Sequence, residues 1–106
     1  MRTEQSFILP RRDNEGKSLQ ELHRAVRISL IRVFGGFTYE SVNGVWASEG
    51  KEYDDESVRY HVAADWSVLD WTQLVRGFCI QARQECVYTK LNNGEVRFID
   101  QEGDSV

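Results

Sequence analysis

One amphipathic helix, bounded at both ends, most constrains the fold that this chain can adopt. Its apolar side chains recur at helical spacing and form a single stripe of Leu19, Leu22, Val26, Leu30 and Val33. Ser18-Leu19-Gln20-Glu21 has the form of a capping box, and Gly35-Gly36 ends the helix because glycine adopts the left-handed conformation at little cost. A helix with one apolar stripe must bury it against another layer, so we expect the other segments to supply a sheet.

Strand-like segments lie on both sides of this helix. Residues 6–9 form a short apolar run that Pro10 stops, and residues 58–64 alternate apolar and polar side chains. Asn43-Gly44, between residues 37–42 and 45–48, is the preferred pair for a tight hairpin turn. Asp54-Asp55-Glu56 is expected in a charged loop. A second helix is predicted to begin at Ser67, and residues 86–91 and 95–99 are predicted to form a closing hairpin.

The predicted order is therefore β-α-β-β-β-α-β-β, and without the small extra strands it reduces to β-α-β-β-α-β. This order predicts an α+β fold: a ferredoxin-like (split βαβ) antiparallel sheet with two helices on one face and extra β-hairpins. With 106 residues, the chain is expected to form a single domain, 1–106, with an ordered core of about 6–100 and an acidic C-terminal tail, 101–106. The open sheet face predicts a homodimer or a higher homo-oligomer.

The formal net charge of -4 is unevenly distributed along the chain. Residues 1–34 carry seven Lys/Arg against four Asp/Glu, and residues 35–106 carry six against thirteen. This acidic balance argues against a general nucleic-acid binder, which is usually basic. No apolar run is long enough to cross a membrane and the N-terminus has no signal-peptide core, so a cytoplasmic location is expected.

The basic residues cluster where the chain enters the first helix. Arg11, Arg12 and Lys17 lie in the preceding loop, and Arg24 and Arg27 follow one turn apart on the helix. Since a helix N-terminus also favours anions, this set predicts a site for a phosphate or carboxylate ligand, with Trp46 or Tyr60 as a stacking face. The alternative is an ordinary solvated face whose arginines pair with acidic residues of the second half.

Other chemistry has weaker support in the sequence. Cys79 and Cys86 match no C-x-x-C pattern, and with His23 and His61 as the only histidines no metal site or cofactor is expected. Free cysteine is usually a core residue, although a small enzyme that uses Cys79 or His61 stays open as an alternative.

Phe34-Gly35-Gly36-Phe37-Thr38, followed by Gly44-Val45-Trp46, Gly50 and Tyr53, resembles a pattern in small uncharacterised proteins of phages, plasmids and their bacterial hosts. The resemblance covers roughly residues 6–99. More distantly, the layout is similar to phage Thoeris anti-defence proteins of the sponge type, which sequester a cyclic ADP-ribose-like signal without cleaving it. No ligand-binding residue of that group matches a position here.

These observations predict a non-enzymatic binding protein, encoded by a phage or mobile element, that sequesters an anionic nucleotide-derived small molecule. The alternative partner is a host protein, which the chain would inhibit or link through its acidic surface at Asp54-Asp55-Glu56 and the tail Glu102-Gly103-Asp104.

Overall fold

The computed structural model describes residues 3–103 and contains two helices and five strands in that part of the chain. In chain order the elements are β1 (Glu4–Pro10), α1 (Gln20–Phe34), β2 (Thr38–Ser48), β3 (Lys51–Ala63), α2 (Val68–Gln81), β4 (Cys86–Lys90) and β5 (Val96–Asp100). The strands form one antiparallel sheet in the order β2-β3-β1-β4-β5. Without β5 this is the split βαβ arrangement, so the predicted fold class is confirmed.

The core lies between one face of the sheet and the two helices. Phe7 and Tyr60 are cross-strand partners on β1 and β3, both are fully buried, and their ring centroids lie 5.4 Å apart. From the helix side, Val26 and Leu30 of α1 and Trp71 of α2 are also fully buried. Because side chains alternate along a strand, the opposite sheet face carries the intervening residues and is more polar.

The two helices begin differently. Ser67 caps α2 as predicted, with its hydroxyl accepting a hydrogen bond from the backbone N–H of Asp70 at 3.1 Å. In α1 the cap position is Leu19, and the Ser18 hydroxyl instead accepts from the N–H of Gln20 at 3.2 Å. The predicted capping box of Ser18 and Glu21 is therefore not formed, whereas Gly35 ends α1 in the left-handed conformation as expected.

The long hairpin turns at a different place from the one that the sequence predicts. Asn43-Gly44 lies inside β2, and the turn is Glu49-Gly50, where both residues have positive φ angles of 51° and 78°. Positive φ at both central residues defines the type I′ turn that joins Ser48 to Lys51. The prediction of a turn at Asn43 was wrong. Residues 37–42 and 45–48 do not pair with each other, because β2 pairs along its whole length with β3.

The extra length of this hairpin makes a ribbon that extends past the rest of the sheet. Residues 57–61 of β3 pair with both β1 and β2, whereas residues 51–56 pair with β2 alone. We call residues 43–56 the ribbon. Asp54-Asp55-Glu56, expected as a loop, is thus part of a strand.

The predicted acidic tail is only partly described. Gln101 is held against the end of α2, since its carbonyl accepts from Arg76 Nε at 2.7 Å and its amide donates to the Gln84 carbonyl at 3.0 Å. Residues 104–106 lie outside the described range. Neither α1 nor α2 has the length and apolarity that would be needed to span a membrane. The expected oligomer stays a prediction.

Candidate functional site

A cleft lies beside α1, at the end of the sheet where β1 and the ribbon meet. It encloses about 600 Å³, which falls in the range of small-molecule sites. Its walls come from the loop after β1, from one side of α1 and from β3. The lining residues are Arg11, Arg12, Ser18, Gln20, His23, Arg24, Arg27, Ile28, Ile31, Glu56, Val58 and Tyr60.

A compact loop places the first two arginines. The Asp13 carboxylate accepts from the N–H groups of Glu15 and Lys17, each at 2.9 Å, which closes the loop on itself. The guanidinium of Arg11 donates to the Ser41 hydroxyl at 2.7 Å, and that of Arg12 to the Gly16 carbonyl at 3.1 Å. Each guanidinium has five N–H donors, so both keep donors available to a ligand.

The other two arginines come from α1. Arg24 and Arg27 are exposed and lie on the side of the helix that faces the cleft. None of the four cleft arginines forms an ion pair with any residue of the described range 3–103, and the side chain of Arg24 has no hydrogen bond there either. The pairing with acidic residues of the second half that the alternative expects is therefore not seen for these side chains, and whether they form a solvated face stays open.

A buried hydrogen-bond chain positions Arg27. His23 Nε2 lies 2.8 Å from the Pro10 carbonyl, and since a carbonyl only accepts, this nitrogen carries the proton. His23 Nδ1 lies 2.6 Å from the Tyr60 hydroxyl and accepts a hydrogen bond from it. Hydrogen bonding with Tyr60 raises the pKa of Arg27, whose guanidinium also sits 4.6 Å from the centre of the Tyr39 ring.

The surroundings of His23 keep its imidazole neutral. Burial is the main cause that lowers the pKa of His23, and the positive charges of Arg11 and Arg27 lower it further against the opposing effect of the Pro10 carbonyl. Both ring nitrogens are occupied, so His23 is a positioning group and not a free base. Burial likewise raises the pKa of Tyr60.

Glu56 supplies the carboxylate of the cleft. It lies on β3 where the ribbon leaves the sheet, and its backbone carbonyl accepts from the N–H of Arg11 at 2.9 Å. Its side chain is exposed and makes no hydrogen bond or ion pair within the described residues. Ile28 and Ile31 add exposed apolar surface, 46% and 53% accessible, to the opposite wall.

The structure brings together five of the seven residues that the sequence singled out: Arg11, Arg12, Arg24, Arg27 and Tyr60. Lys17 is on the same loop but does not line the cleft. Trp46 is on the other face of the hairpin, where it stacks on Tyr53 at 4.4 Å and donates its indole N–H to Asp55 at 2.7 Å. Tyr60 is fully buried and its hydroxyl is hydrogen-bonded to His23, so it offers no free stacking face. That these residues bind a ligand stays a prediction.

Sequence reasoning missed Glu56, Ile28 and Ile31. The signal for Glu56 was its even spacing with Val58 and Tyr60, which places all three on one strand face once β3 is known to start at Lys51. For the isoleucines, the spacing to Arg24 and Arg27 puts all four on one helix side.

The alternative catalytic residues lie on opposite faces of the sheet. Cys79 is fully buried on the helix side, its thiol donates to the Gln84 carbonyl at 3.2 Å, and burial raises its pKa to about 11, so the reactive thiolate is disfavoured. His61 is on the other face between two carboxylates, with Nδ1 at 2.6 Å from Glu4 and Nε2 at 2.9 Å from Glu40. No cluster of three His, Cys, Asp or Glu residues suited to a metal ion occurs between residues 3 and 103.

Comparison with known proteins finds similarity in structure only. No family model matches the chain, and no curated protein is significantly similar to it. A structure of a phage SAM lyase in complex with S-methyl-5′-thioadenosine matches with a TM-score of 0.68 and 16% sequence identity, over 95% of this chain and 91% of that chain. A phage SAM lyase in its apo state matches with a TM-score of 0.64 and 16% identity, over 92% and 87% of the two chains.

These matches correct one prediction. The sequence favoured a protein without enzymatic activity, but both solved structures that share its fold over nearly the whole chain are enzymes, so the prediction of a non-enzyme was wrong. At 16% identity the likeness establishes the shared α+β fold itself.

Proposed function

We propose that this chain is a lyase that cleaves S-adenosylmethionine (SAM), or a closely related adenosyl sulfonium compound, in the arginine-lined cleft. The cleft carries the proposal: about 600 Å³ with apolar walls, four arginines without ion pairs and one free carboxylate. The fold of phage SAM lyases, one of them bound to S-methyl-5′-thioadenosine, supports the substrate class.

The chemistry of the substrate fits the groups of the cleft. S-methyl-5′-thioadenosine is what remains of SAM after the bond between sulfur and the four-carbon amino-acid part breaks. The electron pair of that bond stays on sulfur, so the sulfonium becomes a neutral thioether and its departure needs no proton. Guanidinium groups around the sulfur favour this loss of positive charge, which makes the positive cleft complementary to the transition state.

The carbon that leaves sulfur must gain an electron pair from elsewhere. In one route, an oxygen of the substrate's own carboxylate attacks this carbon and closes a ring. In the other route, an adjacent C–H bond supplies the electron pair and its proton passes to a base. In the described part of the cleft Glu56 is the carboxylate that can accept such a proton, while an arginine holds the substrate carboxylate.

The proposal is tested by incubating purified protein with SAM and measuring S-methyl-5′-thioadenosine by liquid chromatography and mass spectrometry. We expect product above the non-enzymatic background, and a loss of about tenfold or more in kcat/KM for Arg24→Gln, because a charge-assisted hydrogen bond contributes roughly 1.5–3 kcal/mol. Lys17→Gln, which removes a charge from the same loop outside the cleft, is the matched control and should retain activity.

Glu56→Gln separates the two routes. A large fall in kcat identifies Glu56 as the base, and near-normal kcat identifies closure by the substrate carboxylate. No product above background from folded wild-type protein would disprove the proposed function.

A further inference from the structure

The charge of the cleft exceeds what the proposed substrate can balance. Four guanidinium groups and one carboxylate line it, giving a net charge of +3, and the hydrogen-bonded His23 is held neutral. SAM brings one carboxylate but two cationic centres, its sulfonium and its ammonium group. The substrate and the cleft therefore carry net charge of the same sign, and most of the guanidinium donors stay unmatched when SAM is bound.

The arginines also have the geometry of an anion site. Arg11 and Arg12 come from the loop on one side, and Arg24 and Arg27 from α1 on the other, so they surround one volume. A guanidinium binds phosphate oxygens in a bidentate manner, and the N-terminal end of α1, which begins at Gln20 on the rim, adds its dipole to the same field.

The rest of the cleft suits the nucleoside part of such a ligand. Ile28 and Ile31, both exposed, provide an apolar wall against which an adenosine group can pack. SAM and adenine nucleotides share an adenosyl group, so the same wall can contact both. Their relative affinity then depends on the charged groups at the other end of each ligand.

We infer that adenine nucleotides with 5′-phosphate groups bind this same cleft more tightly than SAM does and so act as competitive inhibitors. The competition rests on the proposed function, whereas the binding itself rests on the cleft alone. A cell's nucleotide pool would thereby restrain the activity, and SAM would be cleaved fastest when phosphorylated nucleotides are scarce.

The experiment measures binding by calorimetry with adenosine, AMP, ADP and inorganic pyrophosphate, at low and at near-physiological salt. We expect affinity to rise from adenosine to AMP to ADP, and the ADP affinity to fall as salt increases because screening weakens charge attraction. Arg24→Gln and Arg11→Gln should each weaken ADP binding about tenfold or more, whereas Lys17→Gln should change it less than about twofold.

Three outcomes overturn the inference: ADP binding no tighter than adenosine, equal losses in Lys17→Gln and Arg24→Gln, or failure of ADP to displace SAM. The assay for S-methyl-5′-thioadenosine keeps the two proposals apart. If product forms but ADP neither binds nor inhibits, the inference fails and the lyase function stands. If ADP binds and displaces SAM from protein that forms no product, the lyase function fails and nucleotide binding stands.

Discussion

Protonation of His23 couples pH to the stability of the cleft. In the folded chain the pKa of His23 lies below its ordinary value of 6.5, chiefly because of burial. The unfolded chain therefore binds more protons than the folded chain between these two pKa values. The contribution of His23 to the free energy of unfolding is fully present above pH 6.5 and is lost as the pH falls towards the pKa of the folded state.

We expect the free energy of unfolding to decrease from about pH 7.5 to about pH 5, and part of this decrease to disappear in His23→Gln. Urea unfolding of both proteins across this range measures the difference in slope, which isolates His23 from His61 because both proteins keep His61. Identical slopes would mean that His23 is not held neutral by the fold.

Individual residues show how far sequence reasoning could reach. Arg11, Arg12, Arg24 and Arg27 were predictable as one group because a short loop and one helix turn bring them together locally. Glu56 was not, since its place in the cleft depends on β3 beginning at Lys51 and on pairing with β2. Local spacing can group residues on one element, but only the sheet register decides which elements meet.

At the scale of the hairpin, two glycines test which turn the chain uses. Gly50 has a φ of +78° and belongs to the turn, whereas Gly44 lies within β2 with open space at the position of an added Cβ. Gly50→Ala should lower the free energy of unfolding by about 1–2 kcal/mol, because a left-handed conformation is strained for residues with a Cβ.

Gly44→Ala is the matched control and should be neutral or slightly stabilising, since a glycine inside a strand has an entropic cost. Chemical unfolding of both variants measures the two effects. A greater loss in Gly44→Ala would place the turn at Asn43-Gly44 after all.

The hairpin also explains why the sequence misplaced an element. Asn43-Gly44 is the stronger local turn signal, yet a turn there would leave strands of only six and four residues, 37–42 and 45–48. A turn at Glu49-Gly50 allows eleven residue pairs between β2 and β3. The stabilisation from these pairs outweighs the strain of placing Glu49 at a positive φ. The predicted fold class was still correct, because the misplaced turn does not change how the main strands and helices alternate along the chain.

At the scale of the whole molecule, one buried hydrogen-bond chain ties three elements together. The indole N–H of Trp71 on α2 donates to the Thr89 hydroxyl on β4 at 2.7 Å, and that hydroxyl donates to the Ser6 carbonyl on β1 at 2.7 Å. Thr89 and Trp71 are both fully buried. The second helix is thereby fixed on the centre of the sheet.

Thr89→Val keeps the shape of the side chain but leaves the Trp71 N–H buried without an acceptor. We expect a loss of about 1–3 kcal/mol in the free energy of unfolding, measured by denaturant unfolding with tryptophan fluorescence. Thr72→Val is the control, because the Thr72 hydroxyl donates only to a carbonyl of its own helix, that of Leu69 at 3.0 Å. Equal losses in the two variants would contradict a tie specific to Thr89.

The whole chain also shows why the function was predicted less well than the fold. Periodicity and capping at Ser67 and Gly35 define elements, but charge alone could not tell an enzyme from a binding protein. The likeness of its fold to phage SAM lyases is not visible in the sequence either, because the identity is only 16%.

The ribbon implies a gradient of backbone opening along a single strand. Amides of β3 in residues 57–61 are held between two neighbouring strands, while those in residues 51–56 have one neighbour and exposed side chains. Hydrogen–deuterium exchange should therefore be markedly faster in the outer segment than in the inner one. Glu56 lies at the boundary, so each local opening of the ribbon would also widen one wall of the cleft and offer a ligand a way in and out.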